Sequence, residues 1–180
     1  MKKLFYFIII LIFGACSVTT EEDTTATTTS STTLPDYETT TLSGKISGTA
    51  WTFYKGQVTV PASSSGYHWY RWTSDNISDA CSSTYTGTSS NPYILDSSDD
   101  APAVGEEELC WGSGCAKTNT VTFYDGSNII IYTGKIKIDT VTTTEVTGKM
   151  YAKSGSNNEI NGTFTVSRCC LSSGSYSLCS

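Results

Sequence analysis

From residue 42 to the C-terminus, apolar and polar side chains alternate in short runs. Two of the clearest runs are EVTGKMYAK, at residues 145–153, and NEINGTFTVSR, at residues 158–168. A period of two places successive side chains on opposite faces, which is typical of a β-strand with one buried face. We therefore predict buried side chains at Val146, Met150, Ala152, Ile160, Phe164 and Val166, and outward ones at Glu145, Lys149 and Lys153.

A hairpin is predicted in VTFYDGSNIIIYTGKIKID, residues 121–139. Asp125-Gly126 separates two runs of β-forming residues, and Asp-Gly is a strong signal for a tight hairpin turn. The second run is interpreted as one continuous strand. Its predicted buried face carries Ile130, Tyr132, Gly134, Ile136 and Ile138, and its other face carries Lys135, Lys137 and Asp139.

Earlier strands are expected in KISGTAWTF, GQVTV, YHWYRWT, NPYIL and a short segment that ends at Leu109. Beyond the N-terminal segment no window has a clear helical period. About eight to ten short strands with Gly, Asn and Ser turns predict an all-β fold. The expected architecture is a single antiparallel β-sandwich or barrel-like domain at residues 42–180, preceded by a disordered N-terminal tether.

The N-terminal segment has the pattern of a signal peptide. Lys2 and Lys3 precede an unbroken apolar run at residues 4–13, which is too short to span a bilayer as a helix. Gly14 and Ala15 then lead to Cys16, and this resembles the lipobox of bacterial lipoproteins. The prediction is a signal peptide at residues 1–15 and lipid attachment at Cys16. The alternative is an ordinary secretory signal that leaves Cys16 free.

Residues 16–41 are predicted to form the tether, because 12 of the 25 residues from Ser17 to Thr41 are threonine and few are apolar. Removing residues 1–15 removes two of the 11 basic residues and none of the 17 acidic ones, which leaves 9 basic residues and a net charge of −8. This charge argues against nucleic acid as a partner. Contact with the membrane is therefore assigned to the lipid anchor, and Ser17 rather than Asp after the cysteine favours the outer membrane of the cell envelope.

The other cysteines favour an oxidising compartment. Six remain, an even number: Cys81, Cys110, Cys115, Cys169, Cys170 and Cys179. Cys110 and Cys115 flank the turn-like sequence WGSG and are predicted to bond to each other. Cys169 and Cys170 are adjacent; one is expected to join Cys179 and the other Cys81. A metal site is disfavoured because there is no CxxC pair and His68 is the only histidine.

Several segments together carry a resemblance to known proteins: AVGEEEL, VTFYDGSN, GKIKID, VTGKMYAK and NEINGTFTVSRC. In this order they resemble a group of small lipoproteins of Gram-negative bacteria that pair a lipobox and a polar tether with one β-rich domain. SGTAW at residues 47–51 and NGTFTVSRC at residues 161–169 occupy the places of the group's two motifs. The resemblance implies a lipid-anchored β-domain and supplies no catalytic residues. CWGSGC and the tail CLSSGSYSLCS depart from it.

The strongest candidate for ligand binding is the aromatic run YHWYRWTSD, with Tyr67, Trp69, Tyr70 and Trp72 as candidate ligand-binding residues. Period two places Tyr67 and Trp69 with Arg71 on one face, and His68, Tyr70 and Trp72 on the other. We expect at least one of Trp69 and Trp72 to be substantially exposed, where an aromatic ring can stack on a sugar. The alternative, which we favour, is cross-strand aromatic packing with a cation–π contact from Arg71.

Acidic side chains at Asp96, Asp99, Asp100 and residues 106–108 are the second candidate. Their spacing does not match an EF-hand loop, so they are interpreted as a solvated loop rather than a calcium site or a carboxylate pair. Asn161-Gly162 is interpreted as a turn. No catalytic motif such as GxSxG is present.

The expectation from sequence is a lipoprotein with a binding or structural role at the envelope, not an enzyme, with no cofactor and no metal. An envelope glycan or a protein is the expected partner besides the membrane. A glycan hydrolase and a lipocalin-like carrier of a small ligand remain as alternatives.

Overall fold

The computed structural model describes residues 33–62, 66–81, 90–172 and 174–180. Every regular element in these ranges is a β-strand, as the alternating pattern predicts. The strands are β1 (Ser43–Ile46), β2 (Thr49–Thr52), β3 (Lys55–Val60), β4 (His68–Thr73), β5 (Tyr93–Ser98), β6 (Gly105–Leu109), β7 (Val121–Tyr124), β8 (Asn128–Ile131), β9 (Gly134–Val141), β10 (Glu145–Ser154), β11 (Asn158–Ser172) and β12 (Ser175–Leu178).

All of these strands belong to one sheet that curls into a nearly closed barrel. The main path runs β6-β9-β10-β11-β3-β4-β5-β7-β8; β1 and β12 join it at β11, and β2 pairs with β1. An additional bridge between Cys110 and Asn119 connects the end of β6 to the segment before β7. The all-β prediction is therefore confirmed, and of the two architectures that it left open the barrel-like one is observed.

The sheet is mixed rather than purely antiparallel, because β3 and β11 pair in parallel from Ser167 opposite Gln57 to Cys170 opposite Val60. This parallel pair can form because β11 is long enough to pair with different strands along its length. Its first part pairs with β1 and β10, and its last part pairs with β3 and β12. A local alternation pattern carries no information about which distant strand lies alongside, so the parallel pair was not predicted.

The core lies between the inner faces of these strands. The predicted inward residues of β10 and β11 are all buried: Val146, Met150, Ala152, Ile160, Phe164 and Val166. They pack with Trp72, Ile94, Phe123 and Ile131, which are also buried. Burial of each of the valine, isoleucine, methionine and phenylalanine side chains contributes about 1.5–3 kcal/mol relative to exposure. The period of two therefore correctly identified the faces of both strands.

The Asp125-Gly126 hairpin is confirmed, since β7 and β8 pair antiparallel around it. The long strand predicted after it is wrong, because the run divides into β8, which pairs with β7, and β9, which pairs with β10 and β6. Ile131 is buried, whereas Ile130 and Tyr132 are exposed. The two residues between the strands change which side chains face inward, so the predicted face holds only from Gly134 onward.

Asn161-Gly162 is a second correction, because this pair lies inside β11 and not in a turn. The Asn161 side chain accepts a hydrogen bond from the Glu38 N–H and donates one to the Asp36 carbonyl, each at 3.0 Å. Gly162 has φ of +142°, and a Cβ there would lie 2.7 Å from the Leu42 Cα. Glycine is thus required by the close approach of the incoming chain.

The chain before Leu42 is also held against the barrel. Thr41 forms a parallel bridge with Thr163, and the Thr163 N–H donates to the Thr40 carbonyl at 2.8 Å. The Lys135 ammonium lies 4.6 Å from the centre of the Tyr37 ring. The last part of the segment predicted as a tether therefore has specific contacts from Asp36 onward. The signal peptide, Cys16 and the predicted tether up to residue 32 lie outside the described residues.

Three disulfides are present among the described cysteines: Cys81–Cys169, Cys110–Cys115 and Cys170–Cys179. The predicted Cys110–Cys115 bond is confirmed. Of the two adjacent cysteines, Cys170 bonds to Cys179 and Cys169 bonds to Cys81. Cys170 lies opposite Ser177 in the β11–β12 pair, which brings it to the C-terminal tail. Cys169 instead anchors the segment that follows β4. In the part of the chain that the structure describes, no helix is long and apolar enough to cross a membrane.

Candidate functional site

Strand β4 divides the predicted aromatic cluster between two surfaces. Tyr67 and Trp69 face outward and are 55% and 50% exposed, whereas Tyr70 and Trp72 face inward and are 6% and 1% exposed. The expectation that at least one of the two tryptophans is exposed is confirmed at Trp69. The four candidate residues therefore do not form one surface, because neighbouring side chains on a strand point to opposite faces.

The inward residues line a cavity of about 350 Å³. Tyr70 and Trp72 of β4 and Asp96 of β5 form one wall, and Ile136 and Ile138 of β9 lie on another. Glu106 and Glu107 of β6 and the segment 100–104, which joins β5 to β6, contribute further lining. A volume above about 300 Å³ with apolar walls and a few polar groups is characteristic of a small-molecule site.

Asp96 enters this cavity from β5. It lies directly opposite Tyr70 in the β4–β5 pair and shares a face with fully buried Ile94. Burial raises the pKa of the Asp96 carboxyl to about 6; the Ser97 backbone N–H lowers it and the Glu107 charge raises it further. Asp96 thus titrates near neutral pH, which is a common property of functional carboxyls.

Glu107 enters from the other side on β6. It lies opposite Ile136 in the β6–β9 pair, and its Oε2 accepts a hydrogen bond from the Asn119 amide at 3.3 Å. Its neighbours Glu106 and Glu108 instead lie opposite Lys137 and Lys135. Asp96 and Glu107 are therefore two carboxylates that reach one cavity from different strands.

This placement corrects the interpretation of the acidic residues as a solvated loop. Asp96 belongs to β5, and Glu106, Glu107 and Glu108 belong to β6. Only Asp99 and Asp100 lie in the connecting segment. A sequence signal for Asp96 existed, because it stands two residues after Ile94 and so on the same strand face. No comparable signal identified Glu107, since β6 is a strand at the end of the sheet path and is largely exposed.

An ion pair lies at the solvent side of the cavity. The Lys117 Nζ is 2.9 Å from the Asp100 Oδ2, and both side chains are exposed. The hydrogen bond and the charge of Lys117 hold the pKa of Asp100 below its usual range. The Lys117 charge is therefore already matched by the carboxylate of Asp100, and both residues belong to the cavity lining.

The outward aromatic residues lie beside a shallow groove of about 220 Å³. Trp69, Leu95 and Thr122 line it on β4, β5 and β7. Nearby, the Arg71 guanidinium lies 5.3 Å from the centre of the Tyr93 ring, and Tyr93 stacks on Tyr124 with ring centres 5.0 Å apart. The cation–π contact expected for Arg71 is thus present, alongside an exposed tryptophan.

His68 is buried on the inner face, and burial lowers its pKa. Across the described ranges, no group of three His, Cys, Asp or Glu side chains is placed to hold a metal ion.

Compared with protein-family models, with curated proteins and with solved structures, the chain gave no match. The cavity and the outer groove are therefore the basis for a functional proposal.

Proposed function

We propose that this protein is an envelope lipoprotein whose barrel domain binds a small ligand in the cavity between β4–β5 and β6–β9. The observation that carries the proposal is the cavity itself, with an aromatic wall at Tyr70 and Trp72 and a carboxyl at Asp96 that burial perturbs. Apolar walls with a few convergent polar groups favour binding over a purely structural role. This corresponds to the carrier alternative rather than to a surface platform.

Gly105 provides a direct test of the cavity. It lines the cavity, and a Cβ placed on it would meet nothing within 4 Å. Gly105→Phe should therefore fill the space without strain in the backbone. Gly114 is a matched control, because it is equally open but lies in the Cys110–Cys115 loop, away from the cavity.

The measurement is ligand-observed NMR with a fragment panel that contains cationic, neutral and anionic members. We expect a subset to bind the wild type and the Gly114→Phe variant and to lose binding in Gly105→Phe. If the panel binds all three proteins equally, or binds none of them, the cavity is not a ligand site and the proposal is wrong.

The proposal for the anchor rests on the sequence. Gly14, Ala15 and Cys16 follow an apolar run of signal-peptide length, and the acidic chain has no charge attraction to anionic lipid. Multiple acyl chains on Cys16 would supply stable membrane residence. Cys16→Ser should move the protein from the detergent phase to the aqueous phase in a phase-partitioning assay. Continued partitioning of the variant with detergent would contradict lipid attachment at this residue.

A second candidate function is glycan binding on the outer groove. Its support is the exposed ring of Trp69 with Leu95 and Thr122 beside it. An exposed aromatic face is the surface on which a sugar ring can stack. A glycan array probed with wild type and Trp69→Ala tests it: binding that disappears in the variant supports the groove, and an array without signal contradicts it.

The hydrolase alternative retains one supporting observation, which is that Asp96 and Glu107 reach the same cavity. Glycoside hydrolysis uses two carboxyl groups, one of which acts as an acid with a raised pKa. A panel of nitrophenyl glycosides tests this alternative. Turnover that is lost in both Asp96→Asn and Glu107→Gln would favour it over simple binding.

A further inference from the structure

We propose that the outer groove binds an uncharged glycan chain, with one sugar unit on the ring of Trp69 and the next unit on the ring of Tyr67. This inference rests on the second candidate function, glycan binding at the groove, and adds a ligand class and a second contact residue to it. It does not depend on a ligand in the inner cavity. Three observations carry it: two adjacent exposed rings, neutral polar side chains around them, and the distribution of charge over the barrel.

Tyr67 and Trp69 present two exposed rings next to each other. They are 55% and 50% exposed, and their ring centres lie 6.2 Å apart with an angle of 48° between the planes. Tyr67 directly precedes β4 and Trp69 lies within it, so the spacing of two residues places both on the outer face. Each ring can therefore receive the C–H face of a sugar. Two rings side by side suit successive units of a chain better than one monosaccharide.

The neighbouring strands hold Trp69 in place. Its backbone N–H donates a hydrogen bond to the Thr59 Oγ1 of β3 at 3.2 Å, and on its other side it lies opposite Ser97 of β5. A binding surface that is already ordered loses less conformational entropy when a ligand arrives. The Trp69 ring is thus a preorganised platform on the sheet.

Neutral polar side chains surround Trp69 in the groove: Ser97, Thr120, Thr122 and Asn128. No hydrogen bond joins any of these four side chains to another residue in the ranges that the structure describes. Three hydroxyls and one amide can each donate and accept, as the hydroxyls of a sugar do. A lipid or an apolar protein surface placed here would leave them without partners, which is unfavourable. The lining therefore favours a glycan as the occupant.

The charge of the lining favours an uncharged glycan. Among the described residues of the groove there is no lysine or arginine, and Asp96 is its one charged residue. The alternation of β5 places Asp96 on the inner face with Ile94. Arg71 lies on the outer face, but its guanidinium lies over the Tyr93 ring, 5.3 Å from the ring centre. An acidic sugar would therefore find no cation in the groove, on a chain whose net charge is already negative.

The outer face of β9 and β10 is different, because lysines occupy its outward positions: Lys135, Lys137, Lys149 and Lys153. Asp139 forms ion pairs with two of them, at 3.2 Å from Lys137 and 3.8 Å from Lys149. Glu159 forms an ion pair with Lys153 at 2.7 Å. The charged groups of the barrel are thus concentrated away from the groove, which separates a charged outer surface from a neutral aromatic one.

Matched tetrasaccharides separate the charge of a ligand from its shape. Mannotetraose and tetramannuronate share a linkage and differ by a carboxylate on each unit, and cellotetraose and tetraglucosamine differ by an ammonium on each unit. Xylotetraose and chitotetraose widen the neutral set. Isothermal titration measures binding to the full chain in a zwitterionic detergent that contains no sugar. We expect at least one neutral tetrasaccharide to bind, and each neutral member that binds to do so roughly tenfold or more tightly than its charged counterpart.

The two rings have separate readouts. In the wild type, the tetrasaccharide should bind roughly tenfold more tightly than its monosaccharide, because a second unit contacts Tyr67. Tyr67→Ala should remove this difference, Trp69→Ala should abolish binding, and Trp69→Phe should restore part of it. Tyr132→Ala is the matched control, since Tyr132 is also 55% exposed and lies outside the groove, and it should leave binding unchanged.

A charge placed in the groove tests the ligand class directly. Thr122→Lys adds a cation to the lining, and Thr165→Lys adds the same charge at an exposed position of β11 outside the groove. Binding of tetramannuronate should become roughly tenfold tighter in Thr122→Lys and stay unchanged in Thr165→Lys. An equal gain in both variants would mean that the net charge of the chain, and not the groove, discriminates against acidic sugars.

The outcomes distinguish this inference from the functions on which it builds. Charged tetrasaccharides that bind as tightly as neutral ones, or monosaccharides that bind as tightly as tetrasaccharides, would overturn it and leave glycan binding in place. If every sugar in the set fails to bind, the inference is wrong, and the glycan array decides whether the groove binds any glycan. Self-association of the chain that disappears in Trp69→Ala would make this face an interface between copies and would also overturn it.

Discussion

The inner and outer faces of β4 and β5 carry similar side chains in very different surroundings. The inner face has Tyr70, Trp72 and Asp96, and the outer face has Trp69 and the Tyr93 ring beneath Arg71. Trp72 is almost inaccessible, whereas half of Trp69 is exposed. The same residue type therefore belongs to the core on one face and to a surface groove on the other.

This difference shows that composition alone does not identify a binding surface. The aromatic run lies on consecutive positions of the sequence, and its alternate residues face opposite sides of the sheet, as the period of two predicts. The inner face combines aromatic rings with a perturbed carboxyl in a cavity, and the outer face presents rings directly to solvent. Substitutions on the two faces should accordingly differ in their effects on stability.

The largest expected effect is at Trp72. Trp72→Ala removes a buried ring that stacks on Tyr70 and meets Phe164 edge-on at 5.4 Å between ring centres. The free energy of unfolding should fall by about 3–5 kcal/mol. Chemical denaturation, with the disulfides intact, measures this loss. A loss below about 1 kcal/mol would mean that the inner face is not essential to the core and that the two faces of β4 do not differ in their contribution to stability.

The second effect is at Asp96 and depends on pH. The folded-state pKa of about 6 lies above the ordinary value of 3.8, so between these values the folded protein holds a proton that the unfolded chain has lost. Stability contributed by the protonated form is therefore lost as the pH rises toward 6. Asn cannot ionise and avoids this loss.

Asp96→Asn should consequently be more stable than the wild type at pH 7, by on the order of 1–3 kcal/mol, and nearly equal to it at pH 4. Denaturation curves at both values measure the difference. Asp99→Asn, at an exposed neighbour, should show no such dependence. An Asp96→Asn variant that is less stable than the wild type at pH 7 would show that the carboxylate is well satisfied in the native state.

The third effect concerns the outer face. Trp69→Ala should lower the free energy of unfolding by less than about 1 kcal/mol, because half of the ring is already in water. It should also leave binding in the cavity unchanged. Thermal melts beside those of Trp72→Ala make the comparison direct. Equal losses for the two variants would mean that the outer tryptophan is also a packing residue and would remove the support for glycan binding there.

The smallest effect is at Glu107. Glu107→Gln should lower the pKa of Asp96 below about 6, because one negative neighbour is removed, but burial should keep it above the ordinary value of 3.8. The titration of the Asp96 carboxyl carbon, followed by NMR, measures this change. Glu108→Gln is the control, since Glu108 lies opposite Lys135 on the other face of β6. An unchanged titration in Glu107→Gln would place its charge outside the influence of the cavity.

Much of the fold follows from local pattern. The inward residues of β10 and β11 and the hairpin at Asp125-Gly126 are read correctly because side-chain alternation and turn preference act within a few residues. The pattern failed at Ile130 and Tyr132, because two residues between β8 and β9 reset which face is inward. A period of two cannot reveal the division between β8 and β9 when the runs on both sides of it are apolar.

The candidate site was less accessible from sequence. The alternation of aromatics in β4 predicted that at least one of Trp69 and Trp72 is exposed, but it did not identify which one. The meeting of Asp96 and Glu107 in one cavity could not be predicted, because they lie 11 positions apart in the chain and on strands that do not pair with each other. Similarly, the role of Asn161 in holding Asp36 and Glu38 depends on contacts more than 120 residues apart in the chain.

Local sequence pattern was sufficient to predict the strand-rich class, the faces of the longest strands and the Cys110–Cys115 bond, because short-range sterics, the period of two and a short loop control these features. Three features became known from the folded structure: the parallel β3–β11 pair, the partners of Cys169 and Cys170, and the cavity that Asp96 and Glu107 share. Those features arise when distant segments meet, and their free energies depend on burial and charge that exist only after the barrel has formed.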